Sequence, residues 1–331
     1  MKAFVTGATG FIGANVAREL LQQGYEVRAL VRKDSSLRNI EGLKIETARG
    51  DLLDRDSLDS ALKGCDILFH VAALYTFWTP HPEAVYETNV RGTENLFRAA
   101  VKNGIKKAVY TSTESTIGID HGDLCGTEDE RSSAEQLCGH YKKSKLMAEQ
   151  VALKMCEEGL PVVVVNPTMP VGGFDIKPTP TGELIVRFLN RRMPAYVNTG
   201  LNVVDVQDVA RGHVLALEKG RVGERYILGN RNLTLSEILG ILEQITGLKA
   251  PRIRIPIWVA LAAAYSDEFV SGRVLRKRPG IPIAAVKTSR HFRHFDCTKA
   301  VDELGLPQTP VEVALEKAVA WFRQNGYVRN N

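Results

Sequence analysis

Tyr141 and Lys145 stand four residues apart in the run Tyr141-Lys142-Lys143-Ser144-Lys145. On a helix this spacing projects phenol and ammonium from one face. A nearby ammonium favours the phenolate and lowers the tyrosine pKa, giving a proton donor and acceptor usable near neutral pH. The pair alone is common on amphipathic helices, so its meaning depends on what the chain builds around it. Upstream lies Thr111-Ser112-Thr113-Glu114-Ser115, a run of hydroxyls closing an apolar segment, where a substrate oxygen could be held.

The elements that must position these groups begin at the N-terminus. Residues 2–6 read as a short buried strand, and Thr6-Gly7-Ala8-Thr9-Gly10-Phe11-Ile12-Gly13 opens a helix-periodic segment over 11–21. Glycines at 7, 10 and 13 permit a tight turn, close backbone approach and close helix-strand packing. The helix N-terminus offers NH groups to a pyrophosphate. Residues 25–31 form a second strand followed by Arg32 and Lys33, cations suited to the 2'-phosphate of NADP, although Asp34 argues for NAD. A third strand over about 43–47 precedes Gly50-Asp51-Leu52, where Asp51 and Leu52 could flank an adenine. A fourth, over 65–73, ends at Ala72 and Ala73, whose small side chains let a cofactor lie close; His70 within it reads as a core histidine. Tyr75, Phe77 and Trp78 then form a candidate substrate wall. A long helix is expected over 83–103, a strand over 108–112, and the Tyr141 helix over 141–157. Strand and helix alternate throughout, which predicts an α/β, Rossmann-type doubly wound parallel sheet.

The GxxGxxG turn at Gly7 to Gly13, Gly50-Asp51-Leu52, Asn89, the hydroxyl run, and Tyr141 with Lys145 together resemble the extended short-chain dehydrogenase/reductases, the NAD-dependent epimerase/dehydratase family. The resemblance implies that Tyr141 is the general acid/base, that Lys145 holds the nicotinamide ribose and tunes it, and that Thr113 binds the substrate oxygen, with Ser112 as its rival. It further implies cofactor contacts at Gly7, Thr9, Gly10, Phe11, Ile12, Gly13, Arg32, Asp51, Leu52, Ala72, Ala73 and Pro167. Glu114 after Thr113 is similar to the Thr-acid pair of sugar dehydratases. In the second half, Asn166-Pro167-Thr168-Met169-Pro170-Val171-Gly172, Met193-Pro194-Ala195-Tyr196 and Tyr226-Ile227-Leu228-Gly229 are similar to hopanoid-associated sugar epimerases, neighbours of the dihydroflavonol 4-reductases. Met169 joins the substrate candidates. Leu74 departs from the pattern, where a polar residue is expected.

This implies a dinucleotide-binding domain over 1–166, with a returning segment at about 200–224, and a smaller C-terminal α/β substrate domain from 167–199 and 225–331. The implied activity is NADP(H)-dependent carbonyl reduction, with NAD(H) as the alternative cofactor. The rival readings are a sugar epimerase or dehydratase with tightly bound NAD(P), and a non-catalytic cofactor-sensing protein.

Composition sets outer bounds. The chain has 331 residues, 44% hydrophobic and 24% charged, as in a globular protein. Lys plus Arg number 43 against 38 acids, and the formal excess of +5 is too small and dispersed to point to nucleic acid. Five widely spaced cysteines without a CxxC pair suggest reduced thiols in a cytoplasmic protein, and the first residues run straight into a strand, leaving no room for a cleavable signal. A small-molecule substrate is expected, no integral membrane segment, and a homodimer is left open. The apolar run 255–265 is too short to span a bilayer. Arg273, Arg276, Lys277 and Arg278 suit a diphosphate or acidic head group, or a solvated helix face. His291, His294 and Cys297 lie on an extended stretch where residues three apart face opposite sides, so no metal is expected. Thr234-Leu235-Ser236-Glu237 and Thr309-Pro310-Val311-Glu312 both read as capping boxes.

Overall fold

The computed structural model describes residues 1–119 and 125–328. Strands β1 (Lys2–Thr6), β2 (Glu26–Val31), β3 (Glu46–Arg49), β4 (Ile67–His70), β5 (Lys107–Thr111), β6 (Val162–Pro167) and β9 (Arg225–Leu228) form one parallel sheet in the order β3-β2-β1-β4-β5-β6-β9. That order is the doubly wound Rossmann arrangement. Strands β7 (Met169–Val171), β8 (Gly200–Asp205) and β10 (Arg231–Thr234) make a second, smaller sheet. The helices are α1 (Phe11–Gln22), α2 (Arg55–Leu62), α3 (Pro82–Tyr86), α4 (Gly92–Lys102), α5 (His140–Glu157), α6 (Pro180–Leu189), α7 (Val206–Lys219), α8 (Leu235–Thr246), α9 (Ile257–Asp267), α10 (Ile283–Thr288) and α11 (Val311–Gln324).

The central strands read as unbroken apolar runs because both faces are covered. In β6, Val163 and Val165 pack with α1 and α7, whereas Val162 and Val164 face α4 and α5. β1 splits likewise, with Ala3 and Val5 on one face and Phe4 on the other. A third core joins the small sheet to α6, α8 and α11. Trp321 and Phe322 end α11 inside that packing, with ring centroids 5.2 Å apart.

Several boundaries differ from the sequence pattern. β3 begins at Glu46, where pairing to β2 starts, and its residues are mostly exposed; the apolar stretch before it is an irregular turn. β4 stops at His70, since the Ala72 amide turns to Thr6 Oγ1 at 3.2 Å. The helix expected over 83–103 is interrupted by a π-helical turn at Glu87–Arg91. Thr234 and Glu237 make the reciprocal capping box, but Thr309 does not: its hydroxyl donates to Asp208 at 2.9 Å while Glu312 pairs with Arg231. There tertiary partners outbid the local cap. Within the segment 200–224, β8 belongs to the small sheet, while α7 packs in the core of the large sheet and leads to its last strand, β9. Among the described residues no helix is long and apolar enough to cross a membrane.

Candidate active site

The turn between β1 and α1 is held by contacts that leave no room for side chains. A Cβ on Gly13 would lie 2.1 Å from Gly7 O, and one on Gly7, whose φ is +75°, would lie 2.7 Å from Ala72 N. Gly10 differs: it is exposed, and its nearest obstacle would be Gly7 O at 3.2 Å. It caps α1 without any side-chain hydrogen bond, so the helix N-terminus is open to an anionic group, flanked by Thr9, Phe11 and Ile12.

Beyond the ends of β2 and β3 a cavity of about 670 Å³ is lined by Arg32, Lys33, Asp34, Arg49, Gly50, Asp51, Asp54 and Ser57. Two of its carboxylates are spent on backbone: Asp51 accepts from Leu53 N at 2.9 Å and Asp54 from Ser57 N at 3.2 Å. None of the three cations forms an ion pair among the described residues. Leu52, next in the chain after Asp51, is buried against Gly92. The glycine turn, packed on Ala72, and the cation-lined cavity beyond β2 and β3 are the two features a dinucleotide's pyrophosphate and adenosine end require.

Tyr141, Lys145 and Glu149 project from one face of α5, as their spacing requires. Lys145 is buried, and its Nζ donates to Tyr110 OH and to Thr111 O, each at 2.7 Å. Burial pushes its pKa down to about 7. Burial, followed by the Glu114 carboxylate, pushes Tyr141 well above the ordinary tyrosine value. This overturns the expectation that the ammonium lowers the phenol: Lys145 spends its bonds on β5, and desolvation outweighs charge attraction.

Thr113 leads a short 3₁₀ turn, Glu114–Thr116, and its Oγ1 accepts from Ser115 N at 3.3 Å. Ser112 donates its hydroxyl to Glu149 Oε2, so its proton is committed, whereas the Thr113 hydroxyl proton has no acceptor among the described residues. Glu114 is ion-paired with Arg293, whose Nε lies 3.0 Å from Oε2.

Beneath the turn, Glu149 Oε2 also accepts from Thr116 Oγ1 at 2.6 Å and Asn166 Nδ2 at 3.1 Å. Asn166 and Thr116 both reach Thr113 O, at 3.1 and 2.9 Å. Arg225 of β9 neutralises Glu149 at 3.2 Å, both side chains being almost fully buried. Removing one partner of such a pair strands a buried charge, so Arg225→Met is expected to cost about 3–5 kcal/mol, or a fall in Tm of roughly 6–20 °C. A thermal melt with a change under about 2 °C would show that water or another group takes over the charge.

The substrate candidates divide. Tyr75 lies against Tyr141 at a centroid distance of 4.5 Å and against Phe77 at 5.8 Å. Trp78 is turned toward Gly272. Met169 packs against the core of the small sheet. Leu74 is fixed through its backbone, its amide donating to Asn89 Oδ1 at 2.7 Å, so the loop is anchored without a polar side chain there. Asn89 sits in the π turn and also reaches Ser144 Oγ at 2.9 Å. His70 is buried between Thr6 and Thr93 hydroxyls, each 2.8 Å away, and burial lowers its pKa to about 3. Pro167 ends β6 beside Leu228. Among the described residues no cluster of three His, Cys, Asp or Glu is arranged to hold a metal, and all five cysteines are free thiols.

Unforeseen in the sequence were Arg49, Tyr110, Glu149, Arg225 and Arg293. Only Glu149 left a signal, standing one further helical turn beyond Tyr141 and Lys145.

A family model described as the NAD dependent epimerase/dehydratase family matches residues 3–229. A candidate dihydroflavonol 4-reductase of Synechocystis sp. is 49% identical over 330 residues, covering 98% of this chain and 96% of that protein. The crystal structure of gox2253 superposes with a TM-score of 0.88 at 43% identity, over 99% of each chain. That of PA4631, a nucleoside-diphosphate-sugar epimerase from Pseudomonas aeruginosa, gives 0.83 at 28% identity, again over 99% of each.

Proposed function

Because the chain belongs to the NAD-dependent epimerase/dehydratase family of NAD(P)-dependent oxidoreductases, epimerases and dehydratases, we propose that it reduces the carbonyl group of a small-molecule substrate with NADPH. The observation that carries this reading is the placement of Tyr141 and Lys145 on one face of α5 beside the turn that carries Ser112 and Thr113, where burial keeps the Tyr141 phenol protonated. A phenol kept protonated at neutral pH is in the form that donates to a carbonyl oxygen; alcohol oxidation would need the phenolate. When bound, the nicotinamide supplies the hydride. Thr113 donates its free hydroxyl proton to the substrate oxygen, which holds that oxygen for Tyr141. Lys145 holds the nicotinamide ribose through Nζ, oriented by Tyr110 and Thr111. Tyr75, lying on Tyr141, and Phe77 beside it wall the substrate. Gly7, Thr9, Gly10, Phe11, Ile12 and Gly13 take the pyrophosphate, and Asp51, Leu52, Ala72, Ala73 and Pro167 complete the cofactor groove. Five free thiols support a reducing, cytoplasmic setting.

The unpaired cations Arg32, Lys33 and Arg49 support NADP(H) over NAD(H). Arg32→Ala with Lys33→Ala is expected to raise the NADPH Kd by about 10- to 100-fold, the loss of one or two charge-assisted hydrogen bonds, and to leave NADH within about threefold. Fluorescence titration checks it; an equal loss for both cofactors would remove the assignment.

A second reading, a sugar epimerase or dehydratase with retained NAD(P), is supported by the likeness to PA4631. Against its dehydratase form stands Glu114, whose carboxylate is tied to Arg293. Offering NADPH with a panel of ketones and aldehydes separates the two. Steady depletion of NADPH excludes a pure epimerase, and conversion of a sugar nucleotide without depletion excludes a pure reductase.

A further inference from the structure

The helix α9 and the π-helical segment Glu268–Val274 that continues it leave an apolar face uncovered. Trp258, Tyr265, Phe269, Val270, Val274 and Leu275 are each between 50% and 69% exposed. Trp258, Tyr265 and Phe269 fall on one helical stripe, while Ala260, Leu261 and Ala264 form the buried stripe beside it. Such a concentration of large apolar side chains marks an interaction surface.

Its rim is cationic. Arg273, Arg276 and Lys277 are exposed, and Lys287 Nζ stands 6.0 Å from the Tyr265 ring centroid. Arg278 is paired with Glu183 at 2.9 Å. The acids of the segment are engaged by neutral donors: Asp267 accepts from Ser271 Oγ and Ile281 N, both at 2.7 Å, and Glu268 accepts from Ile283 N at 3.0 Å. Aromatic side chains flanked by unopposed Lys and Arg match the chemistry of a bilayer interface, with rings at headgroup level and cations on anionic phosphates.

We propose that this face docks on an anionic lipid bilayer. An 11-residue helix is too short to cross one, so α9 lies in the interfacial plane. A second copy of the chain fits less well, since an isologous contact would bring together the same cations, Arg273, Arg276 and Lys277, which have no ion pair among the described residues. The face is also contiguous with the site. A Cβ on Gly272 would touch Trp78 at 3.3 Å, Ala284 of α10 packs on Gly139 at the start of α5, and Lys142 Nζ of α5 bonds Thr288 of α10 at 3.0 Å. Docking therefore brings lipid close to Trp78 and the loop whose Tyr75 lies on Tyr141. If the reductase reading holds, on which this last step rests, an apolar carbonyl compound dissolved in the bilayer reaches Tyr141 without crossing water.

The test is flotation of the full chain with vesicles of phosphatidylcholine alone or with about 30 mol % phosphatidylglycerol, at salt from about 0.05 to 0.5 M. Binding is expected with the anionic vesicles only, falling at least about tenfold across that salt range. Neutralising Arg273→Gln, Arg276→Gln and Lys277→Gln together should weaken it by about 100-fold, at roughly fivefold per cation. Trp258 should be quenched by brominated acyl chains, a signal lost in Trp258→Phe. Absence of flotation with either vesicle by the wild-type chain overturns the proposal. So does a dimer, seen by sedimentation, that Trp258→Ser with Phe269→Ser dissociates, because the face would then be a self-interface. Neither measurement depends on turnover, so the docking and the reductase reading fail separately.

Discussion

Tyr141→Phe is expected to lower kcat for carbonyl reduction by about 10²- to 10⁴-fold, the usual worth of a positioned general acid, while NADPH affinity stays within about threefold. The substitution removes one oxygen. The ring remains on Tyr75 at the same 4.5 Å centroid spacing, and no hydrogen bond of the described structure is broken, so α5 and the cradle at Gly7 to Gly13 have no reason to move. Single-turnover reduction followed at the NADPH absorbance, beside a fluorescence titration of cofactor, measures both quantities. Retained turnover would take the acid role from Tyr141, and a parallel loss of cofactor binding would mean that the phenol acts on the ground state.

Lys145→Met is expected to abolish most activity and yet raise the melting temperature at pH 7. Lys145 is 2% exposed with a pKa near 7, against 10.5 for an ordinary lysine. Between those values the unfolded chain binds the proton that the native state has released, so stability from this group is fully present above the unfolded value and is lost as pH falls through about 7. Lys142, lowered by burial to about 8, acts with the same sign. Methionine fills the same channel without a charge to desolvate. It forfeits the bonds to Tyr110 OH and Thr111 O. The net gain is expected to be on the order of 1–3 kcal/mol at pH 7, or about 3–10 °C, shrinking toward pH 10. Calorimetry of both proteins from about pH 6 to 10 checks it. A lower melting temperature in the variant at pH 7, or identical pH slopes, would show that Lys145 is not held against its desolvation cost. Gain of stability with loss of function is the pattern of a residue kept for chemistry.

What could be read from the chain was whatever is local. Strand, glycine turn and helix at Thr6 to Gly13 follow from short-range sterics, and the alternation of apolar runs with helical periods dictated the doubly wound sheet. The four-residue spacing placed Tyr141 and Lys145 on one face. What depends on distant partners left little trace. The direction of the Tyr141 shift needs the burial of α5 and the approach of Glu114, and the sequence holds neither. Thr309-Pro310-Val311-Glu312 has the letters of a capping box, but Asp208 and Arg231 were invisible competitors. The π turn around Asn89 looks like any helix until its side chain is seen holding the Leu74 backbone. Glu149 stood in plain register with Tyr141 and Lys145; what hid it was the absence of any reason to seek a cation on β9.

The supports of the Thr113 turn also set an order of events during synthesis. Arg225 lies 76 residues after Glu149, and Arg293 lies 179 residues after Glu114. A nascent chain that has completed β6 and α5 therefore holds two carboxylates whose counter-charges have yet to leave the ribosome. Contacts of such long sequence separation form late. The glycine turn, the Ala72 contact and the Arg32–Ser57 cavity draw only on residues made before Glu114 and Glu149, so on refolding cofactor capture should precede the return of turnover.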